Sequence, residues 1–280
     1  MMHNIIIIRY GEIALKGKNR INFERKLIQN IRDCLIKNNI EFNKIIRERG
    51  RIFIETSQKC KELSNVFGIT SYSYATKEKF DEITIKKNIK QLLKNKKFET
   101  FRVTTNRADK TITKKSMELN ILFGSYVVEE FNKKVSLKKF DLEVGIEILH
   151  GNSYVFVDQI KGPGGLCYGI NGNTFILVEN QKSILAAWML MKRGLKVVPI
   201  SKTTQDISLL EKYNYGYKKL DLIIVKGNEE IEKKAEEFHL NSIIIGSTLD
   251  NIEKYQFEML ILRPLIGFSK EQINEKLKNL

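Results

Sequence analysis

The sequence predicts an α+β first half and a parallel α/β second half. Three observations carry that prediction. In the first 160 residues, short apolar strands alternate with strongly periodic helices and a hairpin signal. Lys161-Gly162-Pro163-Gly164-Gly165 then breaks all periodicity. Beyond it, five short apolar runs are set apart by loops and helical segments, the pattern of strands buried on both faces of a parallel sheet.

Taken in order, residues 5–9 read as a buried strand. Residues 19–36 carry Ile21, Phe23, Leu27, Ile31, Leu35 and Ile36 at helical spacing. Segments 44–47 and 51–55 flank the polar tip Glu48-Arg49-Gly50, a hairpin. A short helix at 57–66 and a strand at 72–75 close a unit of ferredoxin-like order, expected over 1–76. A helix at 83–93, a strand at 101–104, a long helix at 117–131 and paired strands at 142–148 and 153–157 form a second unit, 77–160. Residues 161–173 are the linker. A third unit, 174–280, opens with a continuous apolar strand at 174–178. A helix at 183–192, rich in Ala, Leu and Met, follows and is stopped by Gly194. Strands at 196–200, 222–225, 242–245 and 259–262 complete it.

Composition limits the function classes. With 42% hydrophobic and 29% charged residues, the 280-residue chain is globular. No apolar run is long enough for a bilayer, and the opening is too short and weakly charged for a signal peptide. The expected location is the cytoplasm, with no membrane partner. Lys and Arg number 48 against 33 Asp and Glu, a net charge of +15. That charge attracts polyanions; a lysine-rich proteome or a thermophile surface accounts for it equally well. Cys34, Cys60 and Cys167 form no CxxC pair, and His3, His150 and His239 are scattered, so neither a metal site nor a structural disulfide is expected.

The run from Arg9 to Arg20, Arg-Tyr-Gly-Glu-Ile-Ala-Leu-Lys-Gly-Lys-Asn-Arg, joins a strand to a helix. Two readings stand. Glycines and a helix N-terminus let Arg9, Lys16, Lys18 and Arg20 approach an RNA backbone. Alternatively this is a polar loop capped by Asn19.

This run resembles the opening of the tRNA 4-thiouridine synthases. The resemblance continues through Gly50-Arg51, Val66-Phe67-Gly68-Ile69, Arg107-Ala108-Asp109-Lys110 and Ser116-Met117-Glu118-Leu119-Asn120 to Gly124. It resumes at Lys161–Gly165 and at Leu262-Arg263-Pro264-Leu265-Ile266-Gly267, so it covers nearly the whole chain. It implies a ferredoxin-like domain and a THUMP domain that bind tRNA, then a PP-loop domain of the adenine nucleotide alpha hydrolase-like class. Members adenylate a uridine and pass sulfur from a persulfide cysteine. In the THUMP stretch, Arg102, Arg107, Lys110, Lys114 and Lys115 would grip RNA electrostatically.

The phosphate loop departs from the pattern. Where the family has Ser-Gly-Gly-x-Asp-Ser, this chain has Val178-Glu179-Asn180-Gln181-Lys182-Ser183, and only Ser183 matches. Side chains replace both glycines, Glu179 brings negative charge, and Lys182 stands where a carboxylate would serve Mg²⁺. The family's remaining nucleotide contacts fall on Ile176, Leu177, Ser201, Lys202 and Gly246, mostly backbone positions. Packing is the better account of Ile176 and Leu177. The segment from Gly246 to Leu262 is shorter than the family pattern. No cysteine occupies the acceptor position; Cys167 sits in the linker as a packing residue.

The expected function is therefore tRNA binding in thiolation, without ATP-dependent adenylation by this chain, without a cofactor or metal, and with no catalytic residue assigned. A catalytic sulfurtransferase would be the partner. The alternative is an active tRNA uracil 4-sulfurtransferase using ATP and Mg²⁺, with the cysteine supplied in trans. In a third arrangement the α/β domain serves to form a homodimer.

Overall fold

In the computed structural model, residues 3–48, 50–108, 112–215 and 219–280 are described. The chain gathers into two interleaved units. Met1–Arg9, Ile40–Lys61 and Ser71–Lys161 form the first; Tyr10–Asn39, Glu62–Thr70 and Gly162–Leu280 form the second. The helices are α1 (Arg20–Lys37), α2 (Glu82–Leu93), α3 (Ser116–Phe131), α4 (Gln181–Met191), α5 (Ser208–Lys212), α6 (Asn228–Phe238) and α7 (Lys270–Lys278).

The first unit is built on one sheet. Its strands are β1 (Ile5–Tyr10), β2 (Lys44–Glu48), β3 (Arg51–Glu55), β4 (Ile69–Lys79), β5 (Thr100–Arg107), β6 (Lys134–Val135), β7 (Leu142–Leu149), β8 (Asn152–Phe156) and β9 (Ile160–Lys161). They run in the order β2-β3-β1-β4-β8-β7-β5-β6, and β9 also pairs with β4. Ile5 to Ile8 are all fully buried, which explains why β1 reads as a continuous apolar run rather than an alternating one. Helix α2 contributes Ile85, Ile89 and Leu93, and α3 contributes Leu119, Phe123 and Val127, to a core with Phe101, Val144 and Ile146. Their i, i+4 spacing puts each set on one helix face. Asp81 caps α2, its carboxylate accepting from the Thr84 N–H at 2.8 Å.

The second unit holds a parallel sheet of β10 (Asn173–Leu177), β11 (Lys196–Ser201), β12 (Ile223–Ile224), β13 (Ser242–Ile244) and β14 (Leu260–Leu262). The order is β12-β11-β10-β13-β14. The chain moves outward from β10 to β12, then returns to β13 on the other side. The reversal lies between β10 and β13, and the carboxyl end of such a crevice is where open α/β sheets bind ligands. Helix α1 belongs to this unit: Asn30 donates to the Tyr168 carbonyl at 3.1 Å, and the Cys167 thiol donates to the Phe23 carbonyl at 3.1 Å.

Several expected bounds shift. The helix at 57–66 is a 3-10 turn over Lys61–Asn65, and β4 is far longer than 72–75 because it serves as partner to β1, β8 and β9. Lys161, placed in the linker, pairs with Ser71. Gly165 has φ +78°, and a Cβ there would lie 2.3 Å from the Lys192 carbonyl, so the turn after the first unit requires glycine.

Candidate nucleotide loop and nucleic-acid interface

At the β10–β13 reversal, the Val178 N–H donates to the Ile200 carbonyl at 2.8 Å and fixes the start of the loop. Asn180 is extended, and its Oδ1 accepts from the Lys182 N–H at 2.9 Å and the Ser183 N–H at 3.4 Å. The Ser183 hydroxyl accepts from the Glu179 N–H at 3.2 Å. Helix α4 consequently begins at Gln181, not at Ser183 as the sequence suggested, because asparagine brings its own cap. The N–H groups of Glu179, Lys182 and Ser183, donors that such a loop offers an anion, all have partners inside the loop.

Glu179 is held as well. Its carboxylate accepts a short hydrogen bond from the Tyr255 hydroxyl and lies 3.6 Å from the Lys254 ammonium. Burial, and then this bond, raise the Tyr255 pKa above the ordinary phenol value. Gly246 lies two residues past β13 across the crevice, where a Cβ would meet the Ser183 nitrogen at 2.6 Å. The next residue, Ser247, is fully buried, and its hydroxyl has no hydrogen-bond partner among the described residues. Ser201 donates to the Val178 carbonyl at 2.7 Å and is buried; Lys202 is exposed and Lys182 half-buried. Ile176 and Leu177 are core residues of β10.

Two features of the loop oppose a magnesium–triphosphate group: the N–H groups of Glu179, Lys182 and Ser183 already have partners, and Glu179 is a carboxylate. Bringing a phosphate to about 4 Å from the Glu179 carboxylate would cost about 4 kcal/mol at an effective dielectric near 20.

The expected RNA-gripping cations divide into two groups. Arg9 is turned inward, which corrects its assignment to a phosphate contact. Its guanidinium donates to Glu147 and Ser73, both at 3.0 Å, and lies over the Phe156 ring. Arg51 binds the same Glu147 carboxylate at 3.0 Å. Arg20 is tied to Glu24 and the Tyr10 hydroxyl. Arg102 pairs with Glu143 and stacks on Phe140, Arg107 straps the Ile112 and Lys114 carbonyls, and Lys114 pairs with Glu82. Lys16 is half-exposed beside Phe23, while Lys18 and Lys115 are exposed. Lys110 lies outside the described residues. Asn19 precedes α1 but makes no side-chain cap bond.

Sequence reasoning missed Glu147, Lys254 and Tyr255. Arg9 carried a usable signal, since it shares strand parity with Ile5 and Ile7, which face the Phe53 and Phe156 cluster. Nothing local marks Glu147 or Tyr255, whose partners lie far away in the chain.

The comparisons agree with this architecture. The family model for the ThiI ferredoxin-like domain matches residues 5–73, and that for the THUMP domain matches residues 79–158. A Thermococcus kodakarensis protein named "Probable tRNA sulfurtransferase" is 33% identical, over 97% of this chain and 86% of its own length. That alignment is longer than this chain, so the relative carries segments that this chain lacks. The crystal structure of PH1313 from Pyrococcus horikoshii has a TM-score of 0.87, with 30% identity and 99% coverage of both chains. The structure of a 4-thiouridine synthetase–RNA complex with bound ATP has the same fold: TM-score 0.82, 24% identity, and 100% and 85% coverage of this chain and that one.

Proposed function

Because the chain belongs to the tRNA sulfurtransferase family, we propose that it binds tRNA through its first half and takes part in thiolation without adenylating the RNA itself. The segments 1–76 and 77–160 supply the RNA surface, and 174–280 keeps the frame of a nucleotide domain. The observation that carries this reading is the self-capped loop: Asn180 takes the N–H groups of Lys182 and Ser183, and Tyr255 and Lys254 hold Glu179. Of the expected RNA-binding cations among the described residues, Lys16, Lys18 and Lys115 have no carboxylate or carbonyl partner and meet the phosphates of a folded RNA read by shape and backbone. A catalytic sulfurtransferase then supplies the chemistry.

Calorimetry with Mg-ATP, alone and after saturation with tRNA, tests this. Binding of tRNA with no heat from ATP is expected; micromolar ATP affinity in either arm would overturn the second half of the reading, and absence of tRNA binding at low salt the first.

A second reading, an active tRNA uracil 4-sulfurtransferase with cysteine supplied in trans, has one observation in its favour. Gly246 still closes on the α4 N-terminus, and the Ser247 hydroxyl beside it is buried without a partner, as in a crevice shaped for a ligand. The same titration separates the two.

A further inference from the structure

Helices α4 and α7 lie side by side in the second unit. On α4 the residues Leu185, Trp188, Met189 and Lys192 fall at i, i+3, i+4 and i+7. On α7, Gln272, Glu275, Lys276 and Asn279 repeat that spacing. Each set therefore occupies one face of its helix. The two faces, with Pro264 and Phe268 from the segment before α7, line a cavity of about 620 Å³. The volume lies within the range of small-molecule sites, roughly 300–1,000 Å³. Seven residues of helix rise about 10 Å, so walls of this length suit an extended ligand.

The polar groups of the lining are not equally available. The Gln272 amide oxygen accepts from the Ser269 N–H at 2.9 Å, and the Asn279 amide donates to the Glu275 carbonyl at 3.0 Å. Both amides are thus committed to the ends of α7 itself. Arg193, at the same mouth, is held by Glu12 at 2.8 Å. Two ammoniums remain. Lys192 lies 5.2 Å from the centre of the Trp188 ring, and Lys276 lies 4.8 Å from the centre of the Phe268 ring. Neither has a carboxylate partner among the described residues. Trp188 is fixed from its other contacts by Phe67 at 5.8 Å and Tyr213 at 6.0 Å. Glu275, exposed at the rim, is the carboxylate that opposes the two lysines. The mouth therefore carries a positive excess.

These features select a ligand. With its amides committed, the lining has no free donor–acceptor pair for the polar edge of a base or a sugar. It has an apolar wall of Leu185, Met189 and Pro264, and two cations without counter-charges. The ammoniums cover the two rings, so a ligand lies along the aliphatic wall and does not stack. We infer that the α4–α7 cavity binds an amphipathic monoanion of the fatty-acid class, its acyl chain along Leu185, Met189 and Pro264 and its carboxylate against Lys192 and Lys276. The site is separate from the β10 loop, and the inference does not rest on the tRNA-binding reading.

Trp188 is the single tryptophan of the chain, so its emission reports on the cavity directly. The full chain is titrated with dodecanoate, dodecanol and dodecylammonium, each below its micelle-forming concentration. The three share one apolar chain and differ in the charge of the head. Dodecanoate should change Trp188 emission saturably and bind once per chain by calorimetry. Dodecanol should bind at least about tenfold more weakly, the effect of losing a charge-assisted contact, and dodecylammonium not at all. Lys192→Gln combined with Lys276→Gln alters two half-exposed positions and should leave the fold intact while abolishing the preference for acid over alcohol. Equal binding of the three heads, several molecules bound per chain, or an unchanged preference in the double variant would overturn the inference. Displacement of dodecanoate by tRNA would overturn it too, by giving the lysines to RNA phosphates. Silence toward dodecanoate ends this inference and leaves the tRNA-binding reading untouched.

Discussion

At the scale of single residues, the strongest polar feature is the carboxylate of Glu147 between two guanidiniums. Its side chain is 9% exposed and that of Arg9 is 11% exposed, so neither charge has water to fall back on. Desolvation lowers the Arg9 pKa and Glu147 opposes it, the pattern expected of a paired buried cation. Removing one partner of a buried pair is far costlier than the pair is worth. Glu147→Ala should therefore destabilise the protein by about 3 kcal/mol, read from urea unfolding, the range typical of such a lost partner. From the sequence, Cys167 is expected to be a packing residue. The structure supplies the reason for Cys167: burial pushes its thiol up to about 12. Tyr168 and Tyr215 are raised by burial as well. For all three groups the neutral form is favoured in the folded state. Their contribution is whole below the unfolded pKa, which is 9.0 for the thiol, and is lost as pH climbs through the folded value. The urea midpoint should fall steadily between pH 9 and 12, and a thiol reagent at pH 8 should leave all three buried cysteines unmodified until the protein unfolds. What could not be read from the chain was the direction in which arginines point. The resemblance implies that Arg102 and Arg107 meet RNA; in the fold Glu143 pairs with Arg102, and the turn carbonyls at Ile112 and Lys114 accept from Arg107.

At the scale of elements, the sequence was most informative where period and burial coincide. Helices α1, α2 and α3 lie within a residue or two of the spacing-based expectation, as do the hairpin β2–β3 and the strands of the parallel sheet. Strand β4 was under-read because its outer half is half-exposed, and alternation fades where a strand is covered only in part. The start of α4 was misplaced for a chemical reason: Asn180 caps the helix from the position where a glycine was the reference. Asn180→Ala should then lower stability by about 1 kcal/mol, the usual cost of a lost cap. Replacing Glu179 and Asn180 together by glycine frees the loop N–H groups and removes the opposing charge. In that variant pyrophosphate should raise the melting temperature, whereas in the parent chain it should leave it unchanged. Gly246→Ala tests the other wall of the crevice. Its methyl group would press on the Ser183 nitrogen, and overpacking of this kind costs about 1–3 kcal/mol.

At the scale of the whole molecule, charge is the property that composition states and structure redistributes. Several of the 48 basic side chains are paired with carboxylates, which leaves the net charge of +15 unchanged but takes those side chains out of the set free to meet phosphates. Binding of tRNA should weaken by at least about tenfold between roughly 50 and 200 mM salt, measured by fluorescence anisotropy. Lys16→Glu, Lys18→Glu and Lys115→Glu should each flatten that dependence, by about 1 in log–log slope. The described helices include none long and apolar enough to cross a membrane. Domain order was visible in the sequence, but the interleaving was not, since no local pattern reports which unit a helix will join. That interleaving sets a timetable for synthesis. The segment Tyr10–Asn39 leaves the ribosome early, yet the surfaces it packs on around Tyr168 and Glu211 are translated more than a hundred residues later. Until then the face of α1 around Asn30 lacks its Tyr168 partner, so nascent chains stalled before the linker expose that face to chaperones.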